Sequence, residues 1–359
     1  MKPIMLLLAL IFPLCAIGES SLSGKLPRRN NLPLEQIPGL DSHYGVLETR
    51  DGTRLRTILT LPKGATNRIP AILFVQWLSC DSIELPGSQT DSWSQMLRRL
   101  ARDSGMAMMR TEKAGVGDSE GLPCASLDYE TELAHHRDAL VALRRRPEID
   151  PGQIFIFGAS MGANMAPLVA SGQDIAGVMV WGGGAKSWFE RTLSFERRAK
   201  ELAGMPAAEL DAYFKSLPRF LVSYLVDRQD PETISRNYPE LQDVWGRIVG
   251  TAEGTHYGRP LSFHQQAQAQ NWAGAWSEVD VPVLVLYGEY DWYEDALGHR
   301  LIADIVNRNQ PGSASYVELA KTDHHFMRFL NVRAGFKDDR GEINSDEAVE
   351  VMLNWLRNY

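Results

Sequence analysis

Short apolar runs alternate with helix-like stretches along this chain, and the alternation lapses only once; no other feature restricts the fold so strongly. The apolar runs occupy residues 71–76, 106–111, 153–157, 175–181 and 282–287, with a further strand pattern near 315–319. Residues 93–103, 128–146, 161–170, 296–308 and 346–357 have helical character, and Pro147 stops the second of these stretches. Continuous apolar runs of strand length suit strands buried on both faces, as in a parallel sheet. Their alternation with helices predicts an α/β fold, a mostly parallel central sheet with helices on both faces. Ahead of it, residues 45–49 and 54–61 flank Arg50-Asp51-Gly52-Thr53, where the Asp-Gly pair signals a hairpin. The lapse falls at 186–275, which holds several helical stretches and no strand pattern. The expected organisation is a core of residues 41–185 and 276–359, an inserted helical unit at 186–275, and an extended lead-in over 19–40.

The first residues read as an address. Met1 and Lys2 precede a run from 4 to 17 that is apolar apart from Pro13, and Ala16-Ile17-Gly18 makes a small-x-small exit. This pattern predicts a signal peptide over 1–18, cleaved after Gly18, and hence a secreted or periplasmic protein. The run falls short of the ~20 residues needed to cross a bilayer, so no stable membrane span is expected. Removal of Cys15 would leave Cys80 and Cys124 as the remaining cysteines, and export to an oxidising compartment predicts a bridge between them. Lys and Arg number 37 against 45 Asp and Glu, a net charge of −8, which lacks the basic footprint that nucleic acid requires.

The pattern G-x-S-x-G occurs twice, at Gly117-Asp-Ser119-Glu-Gly121 and at Gly158-Ala-Ser160-Met-Gly162. A nucleophilic serine needs a strand running into a tight turn and then a helix, with small residues where backbones crowd. Ser160 has this context: Ile154-Phe-Ile-Phe157 leads in and a helical stretch follows, although it contains Pro167. Ser119 leads into Leu122-Pro123-Cys124 and reads as loop structure. A serine hydroxyl also needs a base to take its proton and a carboxylate to orient that base. Asp291 ends the string Gly288-Glu-Tyr-Asp291 just past a strand, with Glu289 and Asp295 as alternatives. Asp295 has the place of a helix cap, and Glu289 lies nearer the strand. His324 and His325 alone among the histidines follow a late strand within a loop.

These motifs, in this order, resemble the α/β-hydrolase superfamily from about His43 to the C-terminus. The hairpin, the Gly115-Val-Gly-Asp-Ser-Glu-Gly121 loop, the Ser160 turn, Gly288-Glu-Tyr-Asp291 and Asp323-His-His-Phe326 all fall in the family's order. The resemblance implies Ser160 as nucleophile, His324 as general base and acid, and Asp291 as its orienter. His324 is selected over His325 because the family's histidine often occurs as Asp-His-x-Phe. One oxyanion donor should be the Met161 backbone N–H, and the second should come from the loop after 71–76. Many relatives have His-Gly there, whereas this chain has Gln76-Trp77. Alignment points to the Leu78 N–H, with Trp77 as the alternative donor or as a pocket wall.

The family's cap domains are inserted where residues 186–275 lie. The stretch 186–276 carries 13 aromatics in 91 residues, against 9% aromatic for the whole chain. They suit either a substrate with an apolar group or the cap's own core. His256, Tyr257, Arg259 and His264 form a polar cluster that could face substrate. The sequence has no H-x-x-x-H pair, no C-x-x-C and no Gly-rich phosphate loop after the first parallel strand, so no metal or cofactor is expected. The reading that results is an exported serine hydrolase cleaving a carboxylic ester or thioester through an acyl-enzyme, its partner a small-molecule or peptide substrate. A serine peptidase or aminopeptidase on the same fold is the alternative, and a non-catalytic binding protein the rival from another class.

Overall fold

The computed structural model describes residues 25–29, 33–337 and 341–359. The expected signal peptide over 1–18 lies outside them, as do 19–24 and 30–32 of the lead-in. Strands β1 (Leu40–Glu48) and β2 (Arg54–Pro62) form an antiparallel hairpin in register from Leu40 opposite Pro62 to Glu48 opposite Arg54. Gly52 takes φ +83° in its turn, a backbone state that favours glycine. The chain continues through β3 (Ile69–Val75), α1 (Ser92–Asp103), β4 (Ala107–Thr111), α2 (Tyr129–Arg144), β5 (Ile149–Ala159), α3 (Met161–Ala170) and β6 (Gly177–Trp181). Residues 182–282 then run through α4 (Trp188–Leu202), α5 (Ala207–Leu221), α6 (Leu261–Ala269), α7 (Trp272–Ser277) and shorter elements. The last elements of the main fold are β7 (Val283–Gly288), α8 (Ala296–Asn309), β8 (Ala314–Leu319) and α9 (Ser345–Leu356).

One eight-stranded sheet has the order β1-β2-β4-β3-β5-β6-β7-β8. Strand β2 is antiparallel to both neighbours, and all pairings from β4 to β8 are parallel. Successive side chains of a strand face opposite ways, which explains why the parallel strands are apolar throughout. Leu73, Val75, Ile154, Ile156, Val283 and Val285 lie in the core that includes α2, α3 and α8. Ile72, Phe74, Phe155, Phe157, Leu284 and Leu286 lie in the opposite core, with α1 and α9.

The departures from expectation are local and have physical causes. Strand β5 begins at Ile149 rather than 153, because Ile149 pairs with Ile69 before a register shift ahead of Ala71. Helix α2 begins one residue later than expected, since the Asp128 carboxylate accepts the Thr131 N–H at 2.8 Å as its cap. Pro167 does not end α3, which runs on to Ala170.

The segment between β6 and β7 is not packed around a core of its own. Tyr213, Leu217, Phe220, Phe263, Trp272 and Trp276 join the same buried cluster as the α2–α3 face of the sheet. Most of its aromatics are therefore core. The lead-in is extended, and it too is built in. Leu26 and Ile37 are buried, and the Glu35 carboxylate forms a wholly buried ion pair with Arg110 while accepting the Leu85 N–H at 2.9 Å. Cys80 and Cys124 are joined by a disulfide, with their Cα atoms 5.8 Å apart. No helix among the described residues is long and apolar enough to cross a membrane.

Candidate active site

Ser160 occupies the turn between β5 and α3, with φ +54° and ψ −122°. Such a conformation is costly for a residue with a Cβ and persists only when its surroundings over-determine it. Here the Ser160 N–H donates to the Trp181 carbonyl at 2.7 Å, tying the turn to β6. The two flanking glycines leave no room for anything larger. A Cβ at Gly158 would lie 2.4 Å from the Gly162 oxygen, and one at Gly162 would lie 2.0 Å from the Val75 oxygen. Gly162 thus lets the end of β3, and the loop after it, close directly against the serine turn.

Asp291 lies just past β7. Its Oδ1 accepts the backbone N–H groups of Tyr293 at 2.8 Å and Glu294 at 2.9 Å. Its Oδ2 is 2.7 Å from His324 Nδ1, and His324 Nε2 is 3.1 Å from Ser160 Oγ. The His324 loop is shaped by its neighbours. Asp323 accepts the N–H groups of His325 and Met327, at 2.9 and 2.8 Å. Phe326 stacks on Trp181 with ring centroids 4.2 Å apart, and the Trp181 indole N–H donates to the His324 carbonyl at 3.0 Å. Asp-His-x-Phe therefore consists of a turn-former, the imidazole and a buried anchor. At Gly182 a Cβ would meet the imidazole at 2.6 Å, so the ring also needs a glycine beside it.

Burial opposes charge on both members of the His324–Asp291 pair, but their mutual attraction and hydrogen bond override it. His324 is pushed above the usual histidine value and Asp291 is held below the usual carboxylate value, the latter helped by the Glu294 N–H. The other candidates have different partners. Asp295 caps α8 through the Gly298 N–H and pairs with Lys186 at 2.6 Å. Glu289 accepts the Lys321 N–H, and His325 lies 3.6 Å from Asp323. Ser119 is buried between the Arg56 N–H and the Glu112 carbonyl, holding the hairpin against the Gly115–Gly121 loop.

Ser160 and His324 open into a cavity of about 630 Å³. Its walls include Trp77, Trp93, Trp188 and Tyr257, together with Leu78 and Met161. Among the described residues no acceptor meets the backbone N–H of Met161 or of Leu78. Trp77 packs against Phe74 and Trp93, with centroids 5.6 and 5.0 Å away.

The polar cluster expected at 256–264 divides. Tyr257 reaches the cavity, whereas His256 and His264 do not and are wholly buried behind it, rings 4.5 Å apart. His264 Nε2 meets the His256 carbonyl at 2.7 Å, and burial pushes both imidazoles down, His264 to about 3. Their expected place facing substrate is corrected: two neutral rings pack better inside the helical segment than a charged pair would. Arg259 is likewise buried, paired with Glu132.

Sequence reasoning missed Trp93 and the Arg191–Glu294 ion pair, 2.6 Å long, all three of which border the cavity. Glu294 follows Asp291 by three residues and was open to notice on that ground; Arg191 carried no local signal. No group of three or more His, Cys, Asp or Glu side chains among the described residues is placed to hold a metal ion.

Residues 56–334 match the model of the alpha/beta hydrolase family, and the chain belongs to that family. Solved structures with the same fold include the Pyrococcus furiosus esterase PF2001, at 12% identity and a TM-score of 0.54, covering 95% of this chain and 99% of that one. Another is carboxyl esterase 2 from the mycorrhizal fungus Tuber melanosporum, at 13% identity and a TM-score of 0.53, covering 97% and 92%. A third is the alpha/beta hydrolase GrgF from Penicillium sp. sh18, at 15% identity and a TM-score of 0.54, covering 89% and 99%. No curated protein matches the sequence.

Proposed function

We propose that the protein is a serine hydrolase that cleaves carboxylic esters or thioesters through an acyl-enzyme. The observation that carries this reading is the unbroken hydrogen-bonded line from Ser160 through His324 to Asp291, with Ser160 and His324 at the wall of the cavity. Ser160 Oγ attacks the carbonyl carbon as its proton passes to His324 Nε2. Asp291 holds the imidazole by Nδ1 and stabilises it once charged. The oxygen that becomes negative is met by the N–H groups of Met161 and Leu78. His324 then returns the proton to the leaving oxygen or sulfur, and water activated by the same nitrogen releases the acid. The aromatic walls favour an apolar or aromatic group on the substrate. We place the protein in a secreted or periplasmic setting, a reading supported by the Cys80–Cys124 bridge, since disulfides persist in oxidising compartments.

Fluorophosphonate labelling followed by mass-spectrometric mapping tests the mechanism. Label is expected on Ser160 and is expected to vanish in His324→Ala. Full ester turnover by Ser160→Ala would refute the reading.

A further inference from the structure

Lys113 is a buried lysine that the reaction above does not use directly. It follows β4, is buried, and does not line the cavity. Its ammonium donates to three successive backbone carbonyls, those of Trp77, Leu78 at 3.1 Å and Ser79 at 2.8 Å. These residues form the loop after β3, and all three touch the cavity that Lys113 does not reach. Every peptide bond described is trans. In a trans peptide the C=O and the following N–H point in opposite directions. Pinning the Trp77 carbonyl toward Lys113 therefore turns the Leu78 N–H away from it. Trp77, Leu78 and Ser79 line the cavity and Lys113 does not, so an N–H turned away from Lys113 is turned to the side of the loop on which the cavity lies. The Leu78 carbonyl is held a second time, by Arg259 Nη1 at 2.9 Å. The disulfide at Cys80 anchors the loop where it leaves.

We propose that Lys113 is a positioning residue for the hydrolysis described above: by gripping the carbonyls of Trp77, Leu78 and Ser79 from behind, it holds the Leu78 N–H toward the developing oxyanion. The inference rests on that reading of the site and adds what orients its second donor. It also accounts for the absence of a small residue at 77. Glycine would allow the loop its turn by conformational freedom, whereas here a buried cation imposes the peptide orientation on a chain that carries a tryptophan. Lys113 faces Glu132, at 3.3 Å, with Arg259, Asp81 and the imidazole of His136, which burial pushes down to about 4, around the same cluster. Glu132 keeps Arg259 as a partner when Lys113 is replaced, so Lys113→Met does not strand it. Burial pulls the Lys113 ammonium down to about 8, against the raising effect of Glu132. Its ammonium is therefore mostly charged at neutral pH, and its grip weakens as the pH climbs through that value.

The test compares wild type, Lys113→Met, Lys113→Arg and Ser160→Ala as full-length oxidised proteins with a p-nitrophenyl ester. Lys113→Met is expected to lower kcat by about 10²–10³-fold, the usual effect of losing one oxyanion donor, with KM changed by no more than about threefold. Wild-type kcat is expected to decline as the pH rises through about 8. Lys113→Arg, whose planar guanidinium stays charged but cannot reach all three converging carbonyls, is expected to have a lowered kcat without that decline. If Lys113→Met does not fold, Lys113→Arg decides the matter by its pH profile. Wild-type kcat in Lys113→Met, or an alkaline decline retained in Lys113→Arg, overturns the inference alone, provided Ser160→Ala is inactive. Turnover by Ser160→Ala would bring down the reading of the site together with it.

Discussion

The disulfide offers a prediction whose size follows from the fold. Cys80 and Cys124 are 44 residues apart in sequence, so the bridge closes a loop that includes α1, β4 and the Gly115–Gly121 turn. In the chain-entropy account, closing a loop of that length removes about 13 cal/mol/K from the unfolded ensemble, or about 4 kcal/mol at 25 °C. The native side adds a smaller part: Cys80 is exposed, while Cys124 is buried and makes one polar contact, from Arg259 Nη1 at 3.4 Å. Cys80→Ala/Cys124→Ala is thus expected to lose about 3–4 kcal/mol in urea unfolding followed by tryptophan fluorescence. Its m-value should rise, since an uncrosslinked unfolded chain exposes more surface. Denatured, unreduced wild-type protein should yield no free thiol from Cys80 or Cys124. A loss below about 1 kcal/mol with an unchanged m-value would refute the argument that the bridge acts through the unfolded state.

Two further predictions concern pH. In the proposed reaction neutral His324 takes the Ser160 proton, and Asp291 holds its charged form up, so the acid limb of kcat/KM is expected above pH 6.5. Asp291→Asn removes the strongest of the charges that raise His324 and leaves Glu294 and Asp323 against burial; its limb should move to lower pH than in wild type with kcat reduced by up to about 10⁴-fold, and an unmoved limb would contradict the assignment. Glu112 is pushed up to about 7 by burial, against the hydrogen bonds it accepts from Ser82 and the Ile83 N–H. A carboxyl raised in this way contributes stability that is complete below its ordinary value of 4.5 and is lost as the pH rises through about 7. Glu112→Gln should therefore gain on wild type by about 2–3 kcal/mol between pH 5 and pH 8, read from urea midpoints, and a constant difference would count against the buried-acid reading.

The distribution of what was legible follows the range of the forces involved. Local pattern marked the sheet strands, the Asp-Gly hairpin and the two serine motifs, and strand-to-helix context separated Ser160 from Ser119. It also placed Asp291 and His324 at strand tips, where parallel α/β sheets present side chains to one edge. Between Asp291 and Asp295 the sequence favoured the first only by position. In the fold their roles are distinct: one carboxylate meets an imidazole, and the other a helix N-terminus and Lys186.

The sequence by itself determined the α/β class, because side-chain periodicity and apolar run length are properties of a strand or helix alone. Only the tertiary structure decided which charges are buried and what they grip. His256 and His264 look like a polar surface cluster in one dimension and become neutral core rings once the helical segment closes over them. Lys113 reads as an isolated cation in a glycine-rich loop until β3 and β4 pair and bring residues 77–79 around its ammonium. Burial strips water from such groups, and their partners come from residues dozens of positions away, so their roles are set by proximity in space, which local sequence does not encode.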